Sequence, residues 1–369
     1  MRTILSIYLL FFSMGSALSQ NALPFEIERI ASFNGPWAMT FLPDGDLLVT
    51  EKSGRLLMMD HDGNNMIEVT GVPSVAYDGQ GGLGDVTLHP EYAKNKMLYL
   101  SFAEADEDDK DKKGAAVIRA KLTINNNKAE LSEIKYIWRQ IPKVTGSGHY
   151  GHRIEFSRDG FLYISSGDRQ KFDPAQDMTM NLGKILRLYD DGTIPKDNPF
   201  FADGGVAAEV WSLGHRNPLG FDFDANGQLW ETEMGPKGGD ELNRVIKGKN
   251  YGYPLVSNGR HYNMGEIPDH ITRPEFEAPK EWWTPVISPS SFVIYQGDLF
   301  SDWKGDGFIS GLSSKSLVHV KFSGSSAEEV ERFDMGKRIR SVEEGPNGAL
   351  WLLEDKKGAR LLKLTPKRN

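Results

Sequence analysis

Val144–Asp168 reads VTGSGHYGHRIEFSRDGFLYISSGD, and its second half decides the fold. Phe156-Ser-Arg-Asp-Gly160 separates two apolar-rich runs, and Asp-Gly supplies the positive φ that a tight two-residue hairpin loop needs. The same strand, Asx-Gly turn, strand pattern returns as FLPDGDLLVTE from Phe41, FDANGQLWETE from Phe223 and EGPNGALWLLED from Glu344. The turn glycines Gly45, Gly160, Gly227 and Gly348 lie 115, 67 and 121 residues apart, so one interval is a single step and two are doubled. Two more copies are expected in the gaps, and HPEYAKNKMLYLSFAE from His89 and FSDWKGDGFISGL from Phe300 lie where they belong.

One such β unit cannot bury both faces of its sheet, whereas units packed in a closed ring can. Long amphipathic helical runs are scarce and glycine is abundant, at 39 residues. The reading is therefore all-β, a six-bladed β-propeller. A paired β-sandwich leaves the repeat unexplained. No Pro/Ser-rich linker divides residues 20–369, which read as a single domain.

The chain opens MRTILSIYLLFFSMGSALSQ, with one basic residue, an apolar run and small residues before Gln20. Residues 1–19 read as a secretory signal peptide, predicting a periplasmic or secreted protein. No later stretch approaches the roughly 18 uninterrupted apolar residues of a membrane-spanning helix, so an integral membrane protein is not expected. The net charge of -8 becomes -9 once Arg2 leaves with the signal, which argues against nucleic acid as a partner. With no cysteine there is no disulfide framework, thiolate metal site or lipoprotein anchor. Stability must come from packing. The charge run EADEDDKDKKG from Glu104 lacks the Gly and Glu of an EF-hand loop and reads as solvated.

Loops at one mouth of a propeller channel converge, so the chemically odd loops matter most. They surround Gln80, His149, Arg216, Glu233 and Arg338. His149, between Gly148 and Gly151, reads either as an exposed imidazole able to accept a proton or as a loop histidine bonded to a backbone carbonyl. His152 faces the same cavity or starts the strand, and His215 reads as a packing residue at a turn. Arg216 and Asn217 precede Pro218, which holds Asn217 in an extended or turn conformation, so the two either aim a cation and an amide at one ligand or leave Arg216 to pair with a neighbouring carboxylate. Arg338 and Arg340 alternate across Ile339, so on a strand both project to one face, where they repel unless an anion lies between them. A multiply charged ligand or a facing carboxylate meets that need. MGPKGGDELN matches no EF-hand spacing and reads as a glycine-rich turn, with a site of hard oxygen ligands at Gly235, Pro236, Asp240 and Glu241 as the alternative. There is no His-Glu-x-x-His, P-loop lysine or Gly-x-Ser-x-Gly, and no Gly-x-Gly-x-x-Gly follows a strand into a helix as nicotinamide binding requires.

Taken in order, these loops resemble the soluble quinoprotein glucose/sorbosone dehydrogenases, particularly the periplasmic aldose sugar dehydrogenase branch. GQGGLGDVTLHPEY, EVWSLGHRNP and MGPKGGDELNRVIKGKNYGYP carry the likeness most specifically, and it runs from PWAMTFLPDGDLLVTEKSGRL at Pro36 to IRSVEEGPNGALWLLED. The resemblance implies pyrroloquinoline quinone (PQQ) held through Ca²⁺, an aldose oxidised at C1 to its lactone, and electrons passed to a separate acceptor. His149 matches the family's general base and Arg216 the cation beside the reacting carbonyl. Gln80, Asn217 and Tyr262 match cofactor contacts, and Arg338 and Arg340 match the pair that binds the PQQ carboxylates. Gly235 and Pro236 match carbonyl ligands of the cofactor Ca²⁺. Glu241 and Tyr251 match a further calcium position, Tyr251 through its carbonyl.

Three positions depart from the family pattern. Ser313 stands where a lysine or arginine cofactor contact is usual, with Lys315 two residues away. Gly148 replaces an acid before the base, leaving His149 without that orienting partner. His152 replaces a glycine. Trp282 and Trp283 read as blade-packing aromatics, with a sugar-stacking wall as the alternative. Two other functions share the architecture: a Ca²⁺-dependent lactone hydrolase, which has no use for the Arg338–Arg340 pair, and a non-enzymatic propeller that binds carbohydrate or protein.

Overall fold

The computed structural model describes residues 23–263 and 265–367, so the expected signal peptide lies outside the described residues. After β1 (Phe25–Asn34), strands come in fours: β2 (Pro36–Phe41), β3 (Leu47–Glu51), β4 (Arg55–Met59) and β5 (Ile67–Thr70), then β6 (Leu83–Leu88), β7 (Met97–Ala105), β8 (Lys112–Asn125) and β9 (Lys128–Arg139). Following the short β10 (Val144–Thr145) are β11 (Gly151–Phe156), β12 (Leu162–Ser166), β13 (Lys184–Leu188) and β14 (Val210–Leu213). Next are β15 (Pro218–Phe223), β16 (Leu229–Glu233), β17 (Asp240–Arg244) and β18 (Glu281–Trp283), then β19 (Pro289–Ile294), β20 (Gly307–Gly311), β21 (Ser316–Ser323) and β22 (Ser326–Asp334). The last are β23 (Ile339–Glu344), β24 (Leu350–Glu354) and β25 (Lys357–Pro366).

Each set is an antiparallel meander in chain order, and a short parallel bridge between β5 and β9 merges the first two into one sheet. β1 pairs with β25, so the N-terminal strand completes the C-terminal sheet. The first strands form a closed cycle, with β2 beside β6, then β11, β15, β19, β23 and β2 again. Among the described residues no helix is long and apolar enough to cross a membrane.

The core is divided among the contacts between neighbouring sheets. Leu48 and Leu56 pack with Leu98 and Leu100, Tyr99 and Val117 with Ile164 and Leu186, and Tyr163 and Ile185 with Phe221 and Leu229. Trp230 and Leu242 meet Phe292 and Ile309, Phe308 and Leu317 meet Leu350 and Leu352, and Trp351 and Leu353 meet Met39 and Val49. Every sheet is thus covered on both faces, and second strands such as β3, β12, β16 and β24 are buried along their whole length. A two-sheet sandwich has one such interface, so that alternative is excluded.

The repeated glycines sit where the sequence placed them, between first and second strands, but the loops are longer than expected. In each, the glycine N–H bonds the carbonyl three residues back, as Gly160 does to Ser157, and a second bond closes the loop from Ser157 N–H to Phe161. This is a three-residue loop with glycine at its left-handed position, φ 86° at Gly160. Asp-Gly therefore ends the turn instead of filling a two-residue one. Among the described residues a Cβ at Gly160 meets nothing within 4 Å, whereas at Gly348 it comes within 3.1 Å of Leu299. Gly160→Ala is accordingly expected to cost about 1 kcal/mol, from backbone strain alone. Gly348→Ala is expected to cost more, and urea unfolding of both measures the difference.

Every first strand breaks register with its neighbour near its own start: at Pro36/Met39, Leu83/Val86, Gly151/Ile154, Pro218/Gly220, Pro289/Ser291 and Ile339/Ser341. Such irregularities twist the strand and re-aim side chains. Together they shape the end of the ring at which the polar loops gather.

Candidate active site

A cavity of about 380 Å³ opens among the starts of these strands and takes in Gln80, His152, Asn217, Arg338 and Arg340. A second cleft, about 250 Å³, holds His149, Arg216, Pro236 and Tyr262. The two are stitched together: adjacent Arg216 and Asn217 line one each, and Gln80 Oε1 accepts the backbone N–H of His149 at 2.8 Å. Five loops distant in sequence therefore meet, as expected.

His149 is buried, not exposed, and its partner is a side chain instead of a carbonyl. Its Nδ1 lies 2.6 Å from Oδ1 of fully buried Asp168. Asp168 also accepts the N–H groups of Gln170 and Phe172, at 3.0 and 3.3 Å. A carboxylate only accepts, so Nδ1 carries the proton and Nε2 is the basic nitrogen. Burial lowers the histidine pKa below 6.5, opposed by the Asp168 hydrogen bond and reinforced by Arg216. The orienting acid thus comes from Asp168 rather than from position 148, which corrects the expectation that His149 lacks one. Arg169 clamps the loop beneath it, donating to the carbonyls of Gly146, Gly148 and Lys113. His149, His152, Arg169, Gln170 and Phe172 all hold positive φ without being glycine. Strain concentrated in this way marks functional loops.

Arg216 and Asn217 are set by Glu233, whose Oε2 accepts both backbone N–H groups at 2.6 and 3.0 Å. The Arg216 guanidinium donates to the Met234 carbonyl, while its buried Nε has no partner among the described residues. His215 is no simple packing residue. Its Nδ1 lies 3.1 Å from Glu233 and 3.4 Å from Glu231, and its Nε2 meets Ser212. Burial opposes its charge, but the bonds to Glu231 and Glu233 outweigh it and raise the pKa to about 9. Asn243 links Glu231 to Glu241, and the Tyr251 ring stacks on His215 at 4.6 Å. Glu241 and Tyr251 therefore do belong to one acidic cluster. The Tyr251 carbonyl, expected as a metal ligand, accepts from His270 Nε2 at 3.1 Å. The Gly235–Pro236 turn is held from behind by Asp240, which accepts from Gly235 N–H and from Ser288 N–H.

Arg338 and Arg340 do share a face, but Asp355 lies between them. Arg338 Nε donates to it at 2.8 Å and Arg340 Nη2 at 3.0 Å. Against burial, the two guanidinium groups hold Asp355 down to about 2. A facing carboxylate thus relieves the repulsion that a ligand was invoked to explain. Lys52 lines the same cavity, and burial together with Arg340 lowers its pKa. Four cations, Lys52, Arg338, Arg340 and Lys356, line the cavity against the one carboxylate and leave it positive, and sequence reasoning missed Lys52, Lys356 and Asp355.

The remaining expectations separate. Tyr262, largely exposed, forms the outer wall of the His149 cleft. Ser313 lies beyond the lining Leu312, with its hydroxyl spent on Ser288 and the Val286 carbonyl, and Lys315 points into solvent. Trp283 is buried between sheets and donates to Glu329, while Trp282 stands exposed on β18, an outermost strand away from the cavity. The packing reading of Trp283 holds.

A family model described as glucose/sorbosone dehydrogenase matches residues 33–363. Aldose sugar dehydrogenase YliI of Escherichia coli is 37% identical over 340 residues, covering 90% of each chain. The crystal structure of the soluble E. coli aldose sugar dehydrogenase in its apo form matches with a TM-score of 0.86 at 36% identity, covering 93% of this chain and 100% of that one. The PQQ-bound aldose sugar dehydrogenase of Streptomyces coelicolor matches at 0.77 and 28% identity, covering 93% and 98%.

Proposed function

The chain belongs to the glucose/sorbosone dehydrogenase family, and from that premise we propose that it is an exported, PQQ- and Ca²⁺-dependent aldose dehydrogenase. It oxidises the C1 hydroxyl of an aldose to the lactone and passes electrons to a separate acceptor. Residues 20–369 form one six-bladed β-propeller, each meander a blade, behind a signal peptide of residues 1–19. The observation that carries the reading is the buried His149–Asp168 pair beside a positively charged cavity.

The residues present suit the cofactor. Lys52, Arg338 and Arg340 exceed the charge of Asp355, as a flat polycarboxylate requires, and the orphaned Arg216 Nε faces the same need for an acceptor. Gly235 and Pro236 would hold Ca²⁺ through carbonyls, with Gln80 and Asn217 as further cofactor contacts. Bound there, PQQ supplies the two-electron acceptor and Ca²⁺ its anchor and Lewis acid.

Oxidation at C1 removes a hydride from carbon and a proton from oxygen. Nε2 of His149 takes that proton, since Asp168 fixes Nδ1 as the protonated nitrogen and stabilises the imidazolium formed. The Arg216 guanidinium, in the same cleft as His149, would favour negative charge developing on oxygen. Metal-stripped mature protein is expected to reduce an artificial dye with aldose only when PQQ and Ca²⁺ are added together. Lactone hydrolysis without quinone would favour the hydrolase instead.

A further inference from the structure

His152 has no part in the chemistry above, yet it is the most conspicuous polar group in the cavity wall. It is 3% exposed, and among the described residues neither Nδ1 nor Nε2 has a hydrogen-bond partner. An imidazole always carries at least one N–H, so this is a buried donor left unsatisfied, which folding alone disfavours. The surroundings nevertheless make room for it. Its ring stacks on Tyr150 at 5.3 Å and meets Trp37 edge-on at 5.8 Å. A Cβ at Gly84 would stand 2.7 Å from the imidazole Cγ, so the ring occupies space that glycine leaves open. The Ser101 hydroxyl pins the His152 carbonyl at 2.6 Å, fixing a backbone with φ 78°. Burial, with Arg169 and Arg153 nearby, lowers its pKa to about 3, so the ring stays neutral and keeps one donor and one acceptor.

We propose that His152 is a cofactor contact particular to this chain, its imidazole hydrogen-bonding the quinone that fills the central cavity. This rests on the quinone reading given above. It explains why a strained backbone carries a histidine with unmet hydrogen-bonding capacity in the wall of the cavity that Gln80, Asn217 and Arg340 also line.

The test compares His152→Phe, which keeps a stacking ring, with His152→Gln, which keeps a donor and an acceptor. PQQ is titrated calorimetrically into each metal-stripped protein in excess Ca²⁺, and the apo proteins are melted in parallel. His152→Phe is expected to weaken PQQ binding roughly ten-fold with apo Tm unchanged or raised, and His152→Gln to restore most of the affinity. Wild-type affinity in His152→Phe, or a loss that Gln does not rescue, would reduce His152 to a packing residue and overturn the proposal while leaving the quinone reading intact. Failure of the wild-type protein itself to bind PQQ overturns both.

Discussion

His149→Gln is expected to lower kcat for aldose oxidation by about 10³-fold while changing PQQ affinity little, the loss appropriate to the proposed general base, which would touch only the reacting hydroxyl. Glutamine is close in size and leaves Asp168 a hydrogen-bond donor, so the pocket keeps its shape but offers no basic nitrogen. The pH profile gives a second readout. Burial lowers the His149 pKa below 6.5, so the neutral, proton-accepting form persists as pH falls through that value. The acid limb of kcat/KM should therefore lie below pH 6.5 in the wild type and disappear from the residual activity of His149→Gln. Single-turnover rates with PQQ-loaded protein measure both. An unchanged kcat would remove His149 from the chemistry and shift the proton to another group.

The ring was legible because its information is local. Each Asx-Gly turn and its flanking apolar runs fall within about a dozen residues, and their recurrence implies units that must cover one another. The length of the hairpin loop was misjudged because Asp-Gly satisfies both a two-residue turn and the end of a three-residue one. The bonds from Gly160 N–H to Ser157 and from Ser157 N–H to Phe161 distinguish them. In the site, His149 and Arg216 stood out as odd residues in glycine-rich loops. Their supports did not, since nothing in sequence marks an aspartate 19 residues downstream as the partner of a histidine. Asp355 and Lys52 were hidden for the same reason: they reach the Arg338–Arg340 face from other strands and loops. Pairings made by ring closure belong to the third dimension.

Arg153 shows how far such a pairing can reach, and replacing it should have the largest effect on stability. From β11 it donates to Asp85 of β6 at 2.9 Å, to the Leu219 carbonyl of β15 at 2.8 Å and to the Ser290 carbonyl of β19 at 3.2 Å. Its guanidinium also sits 4.6 Å from the Trp37 ring of β2. One buried cation thus ties together most of the cycle of first strands. Asp85 returns the link by accepting Ile154 N–H at 2.9 Å. Arg153→Met keeps the volume but leaves Asp85 as a buried, unpaired charge, which costs about 3–5 kcal/mol. Urea unfolding checks this, and Arg153→Met with Asp85→Asn should recover part of the loss, because no uncompensated charge then remains. The pH dependence has a definite sign. Burial already raises the Asp85 pKa above 3.8 despite Arg153, and removing the cation raises it further. A protonated Asp85 needs no counter-charge, so the deficit of Arg153→Met relative to wild type should shrink as pH falls and grow as it rises. A deficit independent of pH would instead place the loss in the severed carbonyl contacts.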